Sequence, residues 1–448
     1  MLPHNMSFTL DELTSMDFTV SRIGTPTLES RLKDVIFVDE SERISYCADP
    51  TLNDKLRKAG KAVPSFVAAG PRKQLFHDAQ WSRAAIVTCG GICPGLNDVI
   101  KAIVNTLYYI YGVDNIYGIP YGYLGLVPDS PAKPIELDPD YVDDIHTLGG
   151  TVLGSSRGEQ PVAEIVKTLE RMNINMLFTI GGDGTQRGAH AIVEEIQKHR
   201  LPISVIGVPK TIDNDLNFMD KTFGFETAVE AAAPIIGCAH NEAKAAYNGI
   251  GLVKLMGRDS GFIAATSALA NSVVNFCLIP EVQFELYGEN GLLASLERRL
   301  QKKHHAVIVV AEGAGQNLFA NQAKEKDASG NTLHKDIGTL LRDEIKAFFT
   351  EKGMEHTVKY IDPSYTIRSL SATGIDSTFC LHLAQHAVHA AMAGMTDVVV
   401  GNWHGYFTYV PTTLATIRRR QIDPQGQLWQ SVLLTTRQNK YGFIENGL

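Results

Sequence analysis

The densest stretch of chemistry in this 448-residue chain is Pro209-Lys210-Thr211-Ile212-Asp213-Asn214-Asp215. It places a cation, a hydroxyl, two carboxylates and an amide side by side. Asp213 and Asp215 are two positions apart, so in an extended segment they share a face. Next to Lys210, one acid suits taking the proton of an attacking hydroxyl, and the other suits orienting it or holding a metal. The competing reading is a solvated turn, because Asp and Asn favour turns. A turn alone, however, rarely needs the Lys and the Thr.

Three glycine-rich loops accompany this cluster. Gly90-Gly91-Ile92-Cys93-Pro94-Gly95 joins an apolar run to an amphipathic one. Its glycines let backbone N–H groups approach a phosphate, and a helix start adds partial positive charge. No Gly-Lys-Ser/Thr follows, so it is not a Walker A motif. Gly154-Ser155-Ser156-Arg157-Gly158 sets one guanidinium among small residues, which suits a closely approaching anion. Gly181-Gly182-Asp183-Gly184-Thr185 embeds a carboxylate among glycines. An acid beside a phosphate cradle makes sense with a cation between them, and Mg²⁺ takes one or two carboxylates plus phosphate oxygens. Each loop also has a plain reading: a structural turn, a surface Arg, an Asp capping a helix. Together they supply a donor cradle, a metal carboxylate, cations for a migrating phosphoryl and a base, which are the parts of phosphoryl transfer.

These residues need a scaffold that gathers them. Ala84–Cys89, Asn175–Ile180, Pro202–Val208, Gly249–Met256, Asn275–Pro280 and Ala306–Ala311 read as buried strands. Leu96–Leu107, Gln186–Lys198, Glu226–Lys244, Gly261–Asn271 and Leu292–Lys303 read as helices. Alternating strands and helices predict an α/β protein with two doubly wound, mainly parallel, Rossmann-like sheets. Ligands in such folds sit beyond the carboxyl ends of strands, where every loop above falls. The expected division is an extension over 1–80, a nucleotide-binding domain over 81–215 completed by part of 370–448, a sugar-phosphate domain over 216–369, and C-terminal helices over 370–448. The extension shows weak periodicity and is expected to pack on the body or on a neighbouring subunit.

A formal net charge of −8 gives no general attraction for nucleic acid or anionic membranes. Anionic substrates must therefore be held by local groups. The six cysteines form no CxxC pair and read as buried free thiols in a reducing compartment. No apolar run reaches the ~18 residues of a membrane span, and no basic-then-apolar leader opens the chain. A cytoplasmic protein is expected.

The motifs, in this order, resemble those of the phosphofructokinases over about residues 80–420: GGICPGLN, GSSRG, GGDGT, PKTIDND, MGRDSG, AEG and YTIR. The resemblance implies phosphoryl transfer from ATP, with Mg²⁺, to the 1-hydroxyl of fructose 6-phosphate. It implies that Asp213 is the base, supported by Thr211, Asp215 and Lys210, and that Arg157 stabilises the moving phosphoryl. Gly90, Arg157, Gly158, Gly182, Asp183, Gly184 and Thr185 are implied for the nucleotide, with Asp183 as magnesium ligand. Thr211, Ile212, Asp213, Met256, Gly257, Arg258, Glu312, Tyr365, Thr366, Ile367 and Arg368 are implied for the sugar phosphate. A guanidinium fork at Arg258 and Arg368 suits a phosphate.

Two departures qualify the resemblance. Lys210 is shared with the pyrophosphate-using branch, whereas Gly184 stands where that branch carries a second Asp. The expectation is an ATP user of pyrophosphate-type (group II-like) ancestry. The alternatives are a pyrophosphate-dependent phosphotransferase and a silent regulatory subunit. Gly249 stands where bacterial relatives place an intersubunit Arg, with Lys359 as the candidate replacement. Family analogy further implies a homo-oligomer, dimer or tetramer, and AMP as an effector.

Overall fold

A computed structural model describes residues 8–319 and 334–438. Residues 1–7 of the expected extension and 439–448 of the expected C-terminal part lie outside them. The fold is α/β, built on two main sheets.

Among the described residues the larger sheet has nine strands. Its centre is parallel and runs Val398–Trp403, Ser204–Pro209, Met176–Gly181, Arg83–Thr88, Asn115–Ile119. The interiors of these strands are mainly apolar because helices cover both faces; Ala84 to Val87 and Met176 to Phe178 are fully buried. Antiparallel strands close both sides, with Tyr406–Pro411, Ser65–Ala68 and Arg43–Ser45 on one and Ile135–Glu136 on the other. The smaller sheet is parallel throughout, in the order Phe276–Leu278, His305–Ala311, Gly249–Leu255, Thr357–Ile361.

Register decides where the loops emerge. Thr88 pairs with Ile180, and Gly181 with Pro209. Three neighbouring strands therefore end level, and the loops after them leave side by side. In the smaller sheet Leu255 pairs with Ala311, so Met256 and Glu312 also emerge together.

Three expectations need correction. The extension is not merely packed on the body, since Arg43–Ser45 and Ser65–Ala68 are edge strands of the larger sheet. They are too short to leave a period-2 signal. Its aromatic residues Phe8, Phe18, Tyr46 and Phe66 cluster around Phe218, with Phe8 stacked on it at 4.9 Å. Residues 370–448 are not helices alone. The helix Gly374–Met392 packs on Leu96–Asn105, but Val398–Trp403 and Tyr406–Pro411 are strands of the larger sheet, each paired on both sides. Finally, five of the six cysteines are buried as expected, whereas Cys238 is exposed on the helix Phe225–Ala245. Among the described residues no helix is long and apolar enough to cross a membrane.

Candidate active site

Loops from the two sheets enclose one cleft of about 750 Å³. On the larger-sheet side it is lined by Gly90, Gly91, Arg157, Gly158, Gly182 to Thr185 and Lys210 to Asp213. On the other side it is lined by Met256, Arg258, Glu312, Tyr365 and Arg368. The motifs thus converge, although they span nearly 280 positions of sequence.

The glycines are explained by close approach. A Cβ on Gly90 would lie 3.0 Å from the Lys210 ammonium, and one on Gly91 3.3 Å from the Arg157 guanidinium. The two cations therefore lie directly against this loop. Gly90 itself is committed to the protein: its N–H donates to the Ser156 carbonyl at 3.0 Å, and its carbonyl accepts from the Ser155 hydroxyl at 2.6 Å. Gly95 caps the helix Leu96–Asn105 at φ 98°, with Cys380 Sγ 2.7 Å from where a Cβ would stand. Gly95→Ala is expected to destabilise the fold by about 2 kcal/mol or more, through left-handed strain and overpacking. Chemical denaturation checks it, and an unchanged midpoint would count against this reading of the loop.

Asp183 opens the helix Asp183–Lys198, which starts three residues before the expected Gln186. Arg187, one turn on, pairs with it at 2.6 Å. Burial raises its carboxyl above the usual range, against the pull of Arg187 and Arg419. Gly184 follows in the same turn, and a Cβ there would meet nothing within 4 Å.

The acid cluster is not extended as the spacing suggested. Asn214 sits at φ 55°, and its side chain accepts from the Thr222 N–H at 2.9 Å, which turns the chain. Asp213 and Asp215 consequently face different partners. Asp215 accepts from the Thr211 hydroxyl at 2.6 Å and from Arg419 at 3.1 Å. Asp213 Oδ2 accepts from the Arg258 N–H at 3.3 Å, whereas its Oδ1 is buried without a hydrogen-bond partner. A buried unpaired carboxylate oxygen on a cleft wall is suited to a substrate hydroxyl. Burial, then Asp215 and Glu312, push its proton affinity well up. Burial pulls the Lys210 ammonium down.

Some predicted residues stand outside the cleft. Gly257, at φ 125°, shapes the backbone; Gly313 donates to its carbonyl at 3.0 Å. Ile367 is fully buried in the apolar core of the smaller-sheet half, and Thr366 is exposed on the short helix Ser364–Arg368. Ser364, Tyr365 and Arg368 of that helix line the cleft and Thr366 and Ile367 do not, because its residues point in different directions around a turn. A Cβ on Gly249 would fall 2.1 Å from the Ala243 carbonyl, so no side chain fits there. Lys359 pairs with Glu242 at 3.6 Å and does not line the cleft.

Several lining residues lie outside the motifs, Arg187, Lys254, Asp362 and Arg419 among them. Arg187 was findable at i+4 from Asp183 had the helix been started there. Lys254 and Asp362 form a 2.8 Å pair across neighbouring strands. Arg419 comes from the C-terminal segment and reaches three carboxylates.

A doubly wound fold whose strand ends bring glycine loops, cations, a helix-opening Asp and an unpaired buried carboxylate into one cleft defines a phosphotransferase. The phosphofructokinase family model matches residues 83–391, and the chain belongs to that family. It is 55% identical over 376 residues to the ATP-dependent 6-phosphofructokinase of Borreliella burgdorferi, covering 83% of this chain and 84% of that one. Against the enzyme of the same name from Amycolatopsis methanolica it is 51% identical, covering 84% and 83%. Among solved structures, the pyrophosphate-dependent phosphofructokinase of Marinobacter aquaeolei matches with a TM-score of 0.65 at 18% identity, covering 82% of this chain and 93% of that one. Pichia pastoris phosphofructokinase in the T-state matches at 0.61 and 21%, covering 75% and 35%. At such identities these two structures speak to the fold.

Proposed function

We infer that this chain is an ATP-dependent 6-phosphofructokinase. It transfers the γ-phosphoryl of ATP to the 1-hydroxyl of fructose 6-phosphate, giving fructose 1,6-bisphosphate and ADP, a step of glycolysis. The observation that carries this is the 55% identity, over most of both chains, to a relative of that name.

We assign the roles as follows. Asp213 accepts the proton of the 1-hydroxyl as the new O–P bond forms and the bond to ADP breaks. Thr211 and Asp215 hold the loop that carries it. Arg157 and Lys210 stabilise charge on the migrating phosphoryl, where fixed cations out of bulk water act most strongly. Gly90, Gly158, Gly182, Gly184 and Thr185 receive the nucleotide. Arg258 and Arg368 take the sugar phosphate, and Met256, Glu312 and Tyr365 take the sugar. Asp183 fits magnesium: one cleft-lining carboxylate leaves the ion's other positions to phosphate oxygens and water. Bound there, the ion would neutralise phosphate charge.

Lys210 and the open space at Gly184 support pyrophosphate-type ancestry with ATP as donor. Turnover measured side by side with ATP and with pyrophosphate tests this. Turnover with ATP is expected, and turnover with pyrophosphate alone would discard the assignment. Family analogy supports a cytoplasmic homo-oligomer, dimer or tetramer, with AMP as effector. It also supports division into a nucleotide-binding part (81–215 with part of 370–448) and a sugar-phosphate part (216–369). Sedimentation with and without AMP checks the assembly.

A further inference from the structure

The segment Arg418–Ile422 matches no motif, yet it fastens the loops of the two sheets to each other. Arg419 lies 3.1 Å from Asp215 in the loop after Ser204–Pro209, and 2.6 Å from Asp259 in the loop after Gly249–Leu255. It also lies 3.9 Å from Asp183. The neighbouring residues hold the same two loops. The Arg420 N–H donates to the Asp215 carbonyl at 2.8 Å, and its guanidinium donates to the carbonyls of Met219 and Asp220 at 3.0 and 2.7 Å. Gln421 donates to the Asp259 carbonyl at 3.0 Å. The Ile422 N–H donates to Glu281 at 2.8 Å, and the same carboxylate accepts from the Gly261 N–H at 3.0 Å. The two loops so fastened are those that meet at Asp213, through the Arg258 N–H and through the Ser260 hydroxyl on the Asp213 carbonyl at 3.1 Å.

We propose that Arg419 is a positioning residue for phosphoryl transfer, holding Asp215, and through it Asp213, in register with the loop of the smaller sheet. This rests on the activity inferred above. Both Asp215 oxygens are occupied, one by the Thr211 hydroxyl and one by Arg419, which fixes Asp215 beside Asp213. Without the guanidinium, Asp183, Asp215 and Asp259 face one another with their shared cation gone. Like charges then repel one another, and the loop loses its setting. Arg419 reaches Asp215 and Asp259 through Nη1 and lies toward Asp183 through Nε, a spread along the guanidinium that an ammonium point charge reproduces only in part.

The charged groups facing Asp213 give a readout that packing alone would not move. Asp215 and Glu312 raise its proton affinity; the Arg258 N–H and Arg419 lower it. Loss of Arg419 therefore shifts the acid limb of kcat to higher pH.

The experiment compares wild type, Arg419→Ala and Arg419→Lys with ATP and fructose 6-phosphate, each well below its thermal midpoint. Arg419→Ala is expected to lose on the order of 10²-fold in kcat. Its acid limb should move up, and added guanidinium ion, but not urea, should restore part of the rate. Arg419→Lys should fall between. Unchanged kcat and limb in Arg419→Ala overturn the proposal. So does a loss that neither guanidinium nor Lys lessens, which marks a structural role only. Wild-type turnover, measured first, reports on the inferred activity, and the ratio of variant to wild type reports on Arg419.

Discussion

Asp213→Asn lowers kcat with ATP and fructose 6-phosphate by about 10²- to 10⁴-fold, while the KM values move little. The amide keeps the shape of the side chain but cannot take the 1-hydroxyl proton. The expectation comes from the unlike settings of the two oxygens: Oδ2 is held by the Arg258 N–H, and Oδ1 is buried, unpartnered and on the cleft wall. The pH profile supplies a second measurement. A base acts ionised, and burial with Asp215 and Glu312 raises this carboxyl well above its usual range. The acid limb of kcat/KM for fructose 6-phosphate therefore lies above the ordinary carboxylate region, and activity is lost as pH falls through it. The limb should vanish in Asp213→Asn. The same raised affinity means that the ligand-free fold holds a proton that the unfolded chain releases. Its stabilising contribution is complete below the ordinary carboxylate range and is lost as pH rises through the raised value. Thermal midpoints against pH should fall less steeply in the Asn variant. Wild-type turnover in that variant would remove Asp213 from the role of base.

Gly184→Asp abolishes efficient use of ATP without harming the fold. A Cβ at this position meets nothing within 4 Å, and the position is in the first turn of Asp183–Lys198, where a negative charge suits the helix dipole. The thermal midpoint should hold or rise slightly. The new carboxylate, however, enters the cleft wall to which we assign the nucleotide, next to Asp183. Like charges brought together out of water cost several kcal/mol, so kcat/KM for ATP should fall by about 10²- to 10³-fold. Gly184→Ala, small and neutral, should lose far less. If the Asp variant used ATP as well as wild type, the nucleotide would have to lie elsewhere.

The parts legible in the sequence are those whose signal is local. Strand cores such as Ala84 to Val87 announce themselves because both faces are buried, and the glycine loops fall at their ends. The meeting of these loops follows from parallel pairing, since strands in one sheet that run the same way present their ends together. What stayed hidden depends on distant contacts. The spacing of Asp213 and Asp215 suggested one shared face, but the turn at Asn214 is fixed by its bond to the Thr222 N–H, beyond the motif. Ile367 lies inside a matching motif yet fills the core, because on a short helix neighbouring residues face in different directions. Arg419 is one of three successive arginines, and nothing in that run marks the middle one as reaching the acids.

The pairing of Ser204–Pro209 with Val398–Trp403 carries a cost in time. Ile206 waits for Val398, made about 190 residues later. On the ribosome one flank of the emerging sheet therefore stays open while about 190 further residues are synthesised. Closure of so distant a pairing is slow, and the unsatisfied strand is a place where another chain can add. The last-made strands complete the larger sheet, so newly made molecules should acquire it in finished form only near the end of translation.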